Sequence, residues 1–414
     1  MKLYMHQAKA RATISNHKKE KNMQKEVLMN VKEKFLEKFG GNESDVRLFF
    51  TPGRVNIIGE HIDYNGGYVF PCALDFGTYA AVKVRTDRTV KFATLNFDLE
   101  VELDLENNIY NKEDDWTNYP KGVIKMYEEL GHKVPGFEVL FYGNIPNGSG
   151  LSSSASLEVL TATIIDALCE GHEDMIELVK ISQKAENEFV GVNCGIMDQF
   201  AVGMGKKDHA ILLNCDTLEY EYAPFKLDGV KIVIGNTKKR RGLADSKYNE
   251  RRRECDYALG KLQTKLDISH LCDLDLETFE ANAELIDDEV AKNRARHAVA
   301  ENARVKDCME ALNEGNIVKV GQLLNQSHES LRDLYEVTGI ELDTMVEESW
   351  KIEGTIGARM TGAGFGGCTV ALVKEEAVET FIEEVGKNYE ARTGLTPEFY
   401  VAGVGQGSHE VKGA

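Results

Sequence analysis

The sequence lacks three features that would assign it to common protein classes. No uninterrupted apolar run approaches the roughly 20 residues that a membrane-spanning helix needs. The eight cysteines form no CxxC pair, so the pattern favours reduced thiols in a cytoplasmic protein over a metal–thiolate site. Positive charge is also scarce, because 49 Lys and Arg stand against 68 Asp and Glu, for a formal net charge of −19. That balance argues against a partner that is a nucleic acid or an anionic membrane.

The amino-terminal segment also lacks the apolar core of a secretory signal. Residues 1–22 contain six Lys and Arg against one Glu. An apolar pattern at helical spacing begins only at Met23 and stops at Gly40. We therefore expect residues 1–22 to be a disordered or non-native arm.

The order of the predicted elements indicates an α+β protein. Short predicted strands cluster before residue 142 instead of alternating strictly with helices, and the region from 242 to 334 is helical and charged. The chain is long enough for two domains with separate cores. Because the polar stretch 216–228 is the best candidate junction, we predict domains over residues 23–228 and 229–414.

One short stretch crowds charged groups between glycines. Gly53–Gly67 contains Arg54, Glu60, His61 and Asp63, and it follows a predicted buried strand. Charged groups near a core are costly unless they are paired or bind something. Carboxylates accept hydrogen bonds and histidine can do either, which suits a ligand with several hydroxyls.

A second stretch, Pro146–Ser156, is rich in glycine and serine and joins a predicted strand to a helix. This geometry suits anions, because the first amides of a helix have no internal partner and the helix dipole favours negative charge. The loop lacks the Gly-Lys-[Ser/Thr] ending of a P-loop. An ordinary serine-capped helix is the alternative. A third stretch, Met360–Leu372, contains GxGxxG, but a strand follows it where a dinucleotide fingerprint requires a helix.

These three blocks, in this order, resemble the GHMP family of small-molecule kinases, and Gly53–Gly67 is similar to its galactokinase signature. Further matching blocks start at Trp116, Gly191 and Tyr248, so that the resemblance covers the chain from about residue 45 onwards. It implies a two-domain α+β fold with the active site in the cleft between the domains. It also implies ATP-dependent phosphorylation of the anomeric hydroxyl of α-D-galactose, the first committed step of galactose catabolism by the Leloir pathway.

The resemblance further implies a role for individual residues. Asp198 is expected to be the base that faces the sugar hydroxyl, with Arg54 beside it near the transferred phosphoryl group, while Ser154 and Glu186 are expected to bind Mg²⁺. Asp198 beside a cation stays ionised, so we expect it mainly to orient the hydroxyl and to accept its proton late. The other expected contacts are Glu60, His61, Ile62, Asp63, Gly195 and Tyr248 for the sugar, and Gly148, Ser149, Gly150, Leu151, Ser152, Ser153, Ser154, Trp116 and Tyr119 for ATP.

The implied cofactors are ATP and Mg²⁺, and we expect a cytoplasmic monomer with no nucleic-acid or membrane partner. Simpler interpretations remain for three residues: a solvated helix face for Glu186, and packing for Trp116 and Tyr248. Ile62 stands where many relatives have threonine and also occurs among N-acetylgalactosamine kinases, which leaves that activity as the alternative. A non-catalytic galactose sensor is disfavoured by the intact Ser154–Ser156, and a mevalonate or homoserine kinase by the acidic Glu60 and Asp63.

Overall fold

The computed structural model describes residues 17–146, 150–171, 173–239 and 244–412, so that Gly148, Ser149 and most of the predicted 1–22 arm lie outside the described residues. Within these ranges no helix is long and apolar enough to cross a membrane. The chain divides into two compact units. Unit 1 contains Asn56–Tyr68 and Leu227–Gly403, and unit 2 contains the described residues of Asn16–Val55, Val69–Lys226 and Val404–Ala414.

This division differs from the single predicted boundary at residue 228. The change of unit at Lys226 falls inside the predicted junction, but Asn56–Tyr68 is part of unit 1 although it precedes most of unit 2 in the sequence. The reason is that side chains from later in the chain hold its backbone, as described below. We call Asn56–Tyr68 the sugar segment.

Thirteen strands and eleven helices are present in the described residues, with additional short 3₁₀ and π turns. The strands are β1 (Arg47–Asn56), β2 (Tyr68–Val69), β3 (Pro71–Val84), β4 (Thr89–Thr94), β5 (Val101–Asp104), β6 (Phe137–Gly143), β7 (His209–Asn214), β8 (Tyr220–Pro224), β9 (Val230–Asn236), β10 (Thr355–Thr361), β11 (Cys368–Lys374), β12 (Glu398–Ala402) and β13 (His409–Glu410). The helices are α1 (His17–Phe39), α2 (Asn118–Glu129), α3 (Ser153–Leu168), α4 (Met175–Lys184), α5 (Met197–Met204), α6 (Ala244–Leu262), α7 (Leu276–Asn282), α8 (Glu289–Asn313), α9 (Ile317–Ser330), α10 (Gly339–Trp350) and α11 (Val378–Thr393).

Unit 2 is built on a six-stranded sheet in the order β13-β1-β3-β6-β4-β5. The pleat directs alternate side chains of β3 to opposite faces. Tyr79 and Ala81 join the core formed with α1, whereas Ala80 and Val82 join the core formed with α2 and α3. Helices therefore cover both faces of the sheet, and β1 is held between β13 and β3, with its carboxyl end leading to the candidate site.

Unit 1 contains a four-stranded antiparallel sheet in the order β10-β11-β9-β12. One face packs on α10 and α11 through apolar side chains such as Met345 and Phe381. Helix α9 lies close to β10, because a Cβ atom on Gly321 would be only 2.1 Å from the carbonyl oxygen of Ile356. The sheet and α8 together frame the sugar segment.

Most predicted elements are confirmed, and the differences have local causes. The strand after GxGxxG is β11, as expected. Helix α4 ends at Lys184 and continues as a π-helical turn, Ala185–Val190. The polar stretch 216–228 contains β8, which pairs with β7 and was missed because its side chains are mostly polar and exposed. Strand β10 was missed because glycine and arginine interrupt its apolar pattern.

Candidate active site

The sugar segment of unit 1 turns sharply after β1. His61 has φ 62° and Gly66 has φ 72°, both in the left-handed region that few side chains adopt. The side-chain amide of Asn65 donates to the carbonyl oxygen of His61 at 2.8 Å and holds that turn. A Cβ atom on Gly66 would lie 2.5 Å from His270, so this position requires glycine for space as well as for φ.

One carboxylate oxygen of Glu60 is saturated by protein donors. Glu60 is 4% exposed, and its Oε1 accepts hydrogen bonds from the Arg359 guanidinium at 2.9 Å, the Thr361 hydroxyl at 3.0 Å and the Gly362 amide at 2.9 Å. Three donors on one oxygen leave Oε2 as the acceptor for a ligand hydroxyl. The carboxylate is therefore fixed in place before a sugar arrives.

Arg359 on β10 holds the backbone of the same segment and was not predicted from the sequence. It is fully buried, and it donates to the carbonyl oxygens of Ile57 at 2.6 Å, Asn56 at 2.8 Å and Met360 at 2.7 Å. A buried guanidinium without such partners would cost several kcal/mol. The one signal for it in the sequence is a charged residue inside a stretch of small and apolar residues.

Helix α8 supplies two further buried groups to the sugar segment. Glu301 accepts a hydrogen bond from the amide of Gly59 at 3.1 Å. Burial alone would raise the pKa of Glu301, but Arg304, at 2.7 Å, and other positive neighbours lower that pKa to about 2. Burial lowers the pKa of His297 to about 3, and its Nε2 lies 3.3 Å from the carbonyl oxygen of Glu60. Both side chains hold backbone and face no solvent.

Three other predicted sugar residues lie in or beside this segment. The ring of Tyr248 on α6 is centred 5.5 Å from the ring of His61 and 5.5 Å from that of Tyr64, so the structure does bring Tyr248 to the sugar segment. Asp63 is partly exposed. Ile62 is 0% exposed, so its side chain has no surface to offer a ligand.

In unit 2 the structure brings Arg54 and Asp198 together. Arg54 lies near the end of β1 and Asp198 lies in the first turn of α5. They form a two-bonded ion pair, Nε to Oδ1 at 2.8 Å and Nη2 to Oδ2 at 2.7 Å. The third arm of the guanidinium donates to the carbonyl oxygen of Gly150 at 2.6 Å. The Ser152 hydroxyl donates to Asp198 Oδ2 at 2.5 Å. Gly195, three residues before Asp198, is exposed.

The glycine and serine loop leaves the first turn of α3 uncapped by a side chain. Ser152 precedes the helix with φ 63° and makes no side-chain cap, because its hydroxyl is used by the carboxylate described above. The simple capping interpretation is therefore wrong for this residue, and the amides that begin at exposed Ser153 suit a phosphate. Leu151 is buried and accepts from the Arg54 amide at 3.3 Å.

Two carboxylates and an amide cluster beside this helix start. Gln199 Nε2 donates to Glu186 Oε2 at 2.8 Å and to Glu158 Oε2 at 3.1 Å. Burial is the main cause that raises the pKa of Glu186, and hydrogen bonds, one of them from Ser154, oppose it. Burial and then the charge of Glu186 raise the pKa of Glu158 well above its ordinary value. A cation bound here would stabilise the ionised form of these carboxyl groups and oppose both shifts.

The residues fit a magnesium ion with few protein ligands. The Ser154 hydroxyl is among the groups that lower the pKa of Glu186, so these two expected ligands are near neighbours, as two ligands of one ion must be. Glu158 Oε1 and Gln199 Oε1 are buried and have no hydrogen-bond partner in the described residues. No group of three or more His, Cys, Asp and Glu side chains in the described ranges forms a metal cage. Mg²⁺ often takes one or two carboxylates and leaves the other positions to phosphates and water.

The two aromatic residues expected at the adenine differ in position. The Trp116 ring packs in the unit 2 core, edge-on to Phe141 at 5.9 Å, and its indole nitrogen is buried with no partner in the described residues. Tyr119 is half-buried, and burial together with the charges of Glu186 and Glu158 raises its pKa. Tyr119 therefore lies near the carboxylate cluster, whereas the Trp116 ring is held by packing in the core.

Comparison with known families covers both units. The galactokinase galactose-binding signature matches residues 33–84. The N-terminal domain of GHMP kinases matches residues 118–206, and the C-terminal domain matches residues 308–391. A galactokinase of Fusobacterium nucleatum is 58% identical over 89% of this chain and 96% of its own length.

The chain belongs to the galactokinase family of GHMP kinases.

Other members of this family agree. The galactokinase of Bacillus subtilis is 54% identical over 90% of this chain and 96% of its own length. The crystal structure of Lactococcus lactis galactokinase complexed with galactose is 49% identical, covers 93% of this chain and all of its own, and gives a TM-score of 0.87. A mevalonate kinase of Methanococcus jannaschii shares the fold, with a TM-score of 0.64 at 20% identity. The α+β GHMP kinase fold and the galactokinase resemblance are confirmed.

Proposed function

We propose that the protein transfers the γ-phosphoryl group of ATP to the anomeric hydroxyl of α-D-galactose and releases galactose 1-phosphate and ADP. The observation that carries the proposal is the Arg54–Asp198 pair. It is hydrogen-bonded to Ser152 and Gly150 of the stretch Pro146–Ser156, which we call the serine loop. A carboxylate for the attacking hydroxyl and a cation for the phosphoryl group are thus built onto the loop that suits phosphates. The family match supplies the sugar.

For the sugar, unit 1 offers acceptors that are already fixed. Glu60 presents Oε2, since Oε1 is saturated, and Asp63 adds a partly exposed carboxylate. Tyr248 offers an aromatic ring, and Gly195 of unit 2 is exposed. Preorganised acceptors lower the ordering cost of binding a flexible polyol. Ile62 contributes to the site through packing, given its complete burial.

For the nucleotide, unit 2 offers Gly148–Ser154 and the uncapped amides of α3 for the phosphates, with Tyr119 and Trp116 for the adenine. Ser154 and Glu186 would hold Mg²⁺, which neutralises phosphate charge when bound. Phosphoryl transfer depends mostly on such positioning and charge neutralisation.

Asp198 would orient the anomeric hydroxyl and accept its proton late in the transfer. Both of its oxygens already accept hydrogen bonds from cationic or hydroxyl donors. Those donors fix the orientation of the carboxylate, which suits it to position the hydroxyl. Orientation of the hydroxyl is therefore the larger part of its role.

The test is ADP release at saturating Mg-ATP with galactose, N-acetylgalactosamine, glucose and mevalonate, followed by phosphorus NMR of the product. Galactose should be turned over fastest and yield a 1-phosphate. The N-acetylgalactosamine arm decides the alternative that Ile62 left open. Absence of turnover with galactose, or faster turnover with N-acetylgalactosamine, would overturn the proposal. Galactose binding without ADP release would identify a sensor instead of an enzyme.

The compartment and the oligomeric state of the enzyme are part of the same proposal. We propose a cytoplasmic monomer that uses ATP. Buried thiols such as Cys72 and Cys255 fit a reducing compartment. Light scattering coupled to size-exclusion chromatography tests the monomer, which predicts a mass near 46.2 kDa.

A further inference from the structure

A chain of hydrogen bonds runs through unit 1 behind the sugar segment, and we call it the His61 chain. Its links are Cys255 Sγ to Tyr335 Oη at 3.2 Å, Tyr335 Oη to Tyr64 Oη at 2.7 Å, and Tyr64 Oη to His61 Nδ1 at 2.8 Å. His61 Nε2 closes it at 3.2 Å from the carbonyl oxygen of Ala363. The chain thus joins α6, the π-helical turn after α9, the sugar segment and the glycine-rich turn before β11.

The order of donors along this chain is determined at one end. The Ala363 carbonyl can only accept, so His61 Nε2 must carry the hydrogen and Nδ1 must accept. Tyr64 then has to donate to Nδ1, and Tyr335 has to donate to Tyr64. Cys255 is left as the donor to Tyr335. Burial lowers the pKa of His61 to about 4, which keeps the ring neutral, as this order requires.

The His61 ring therefore has no nitrogen left for a sugar. Its position matters in another way, because His61 is the left-handed residue between Glu60 and Asp63. The ring also lies against Tyr248, another residue proposed for the sugar, at 5.5 Å between centroids. A shift of the ring would move the turn, both carboxylates and the Tyr248 ring together.

We infer that Tyr64 and Tyr335 are positioning residues for galactose, which act through His61 to fix the turn that carries Glu60 and Asp63. This inference rests on the proposed function, since it names what holds the galactose site. Neither hydroxyl needs to touch the sugar. Tyr335 lies 274 positions after His61 in the sequence, so its hydroxyl acts on the site only through the folded unit.

The experiment compares Tyr64→Phe, Tyr335→Phe and the double variant with the wild-type enzyme. Each single change should raise the KM for galactose about tenfold, the size of one buried hydrogen bond, and leave the KM for Mg-ATP within about twofold. The KM of the double variant for galactose should be at most about twice the higher of the two single-variant values, because one broken link already disconnects the chain. Tyr257→Phe is the matched control, since it removes an exposed phenol hydroxyl bonded to Asp287 in the same unit and should change neither KM.

The readouts separate the possible failures. If wild-type enzyme does not turn over galactose, the proposed function fails. If it does, and both single variants keep the galactose KM within about twofold, the His61 chain has no positioning role. If either variant fails to fold, the tautomer of His61 in the wild-type enzyme tests the inferred donor order instead. Long-range nitrogen–proton NMR should show hydrogen on Nε2 between pH 6 and 8. Hydrogen on Nδ1 would overturn the inference.

Discussion

The sugar segment in unit 1 and the serine loop in unit 2 are preorganised by different means. The sugar segment is held by buried side chains from remote positions, with Arg359 and Glu301 bound to its backbone. The described part of the serine loop is held by a single ion pair, since Arg54 bonds to Gly150 and Asp198 accepts from Ser152. A buried charge network is costly to interrupt, whereas a partly exposed pair is less so. Substitutions in the two regions should therefore affect different quantities: binding and stability in unit 1, turnover and cation use in unit 2.

Asp198→Asn should produce the largest change in turnover. It preserves shape but removes the charge that pairs with Arg54 and accepts the hydroxyl proton. We expect kcat to fall about 1,000-fold while the fold is kept, since positioned acid–base groups contribute roughly 10²- to 10⁴-fold. Ser152→Ala removes one hydrogen bond to the same carboxylate, and its kcat should fall far less. Turnover of the asparagine variant within tenfold of wild type would contradict the role given to Asp198.

Arg359→Met should mainly reduce stability and galactose binding. It leaves Glu60 buried without its cation and frees backbone carbonyls, which costs about 3 kcal/mol or more in the free energy of unfolding. The control is Arg332→Met, which removes a partly exposed pair with Asp333 and should cost less than about 1 kcal/mol. Urea denaturation measures both variants. Equal losses of unfolding free energy would mean that the buried contacts of Arg359 stabilise the protein no more than a surface ion pair does.

A milder change keeps this comparison informative if the Arg359 variant does not fold. Thr361→Val removes one hydroxyl that donates to Glu60 Oε1. We expect the KM for galactose to rise several-fold, and that for Mg-ATP to stay the same, because only the sugar segment loses a contact. An unchanged galactose KM would show that the two remaining donors suffice.

Glu186→Gln should affect the requirement for magnesium. The change removes the charge next to Ser154, so the Mg²⁺ concentration for half-maximal rate should rise at least about tenfold. Glu188→Gln is a matched control two residues away, because Glu188 is exposed and only weakly paired with Lys184. A magnesium titration of both variants measures the difference. Similar curves would show that Glu186, although buried, does not bind Mg²⁺.

The same contrast explains what could be predicted from the sequence. The serine loop and Arg54 were predicted because each lies in a short glycine-dense motif, whereas the role of Asp198 came from the family resemblance. Arg359 and Glu301 were missed, since their partners are backbone groups about 300 and 240 positions away, and no spacing rule reports such contacts.

Packing also changed two roles that resemblance alone had implied. Ile62 was expected at the sugar, but it is fully buried. His61 was expected there too, and its ring nitrogens are both used inside the protein. Motifs identify which residues surround a ligand, whereas hydrogen-bond capacity decides which atoms remain for it.

The last expected difference between the two units is in acid sensitivity. Unit 1 contains buried, neutral His61 and His297, whose pKa values are lowered to about 4 and about 3, mainly by burial. Below about pH 6.5 the unfolded chain binds protons at these residues that the native protein does not. The free energy of unfolding should therefore fall by about 1.4 kcal/mol per pH unit for each histidine, from pH 6.5 down to pH 4 for His61 and further for His297.

Urea denaturation of His297→Gln between pH 7 and 5 measures this contribution. At the acid end of that range, the free energy of unfolding of the variant should fall by about 1.4 kcal/mol per pH unit less than that of wild type. Asn302→Ala is the control, because it removes buried hydrogen bonds from the same helix to Tyr68 and Cys272 but no titratable group, and it should leave the slope unchanged. If Asn302→Ala flattened the slope as much as His297→Gln did, the acid sensitivity would not arise from the buried histidine that holds the sugar segment.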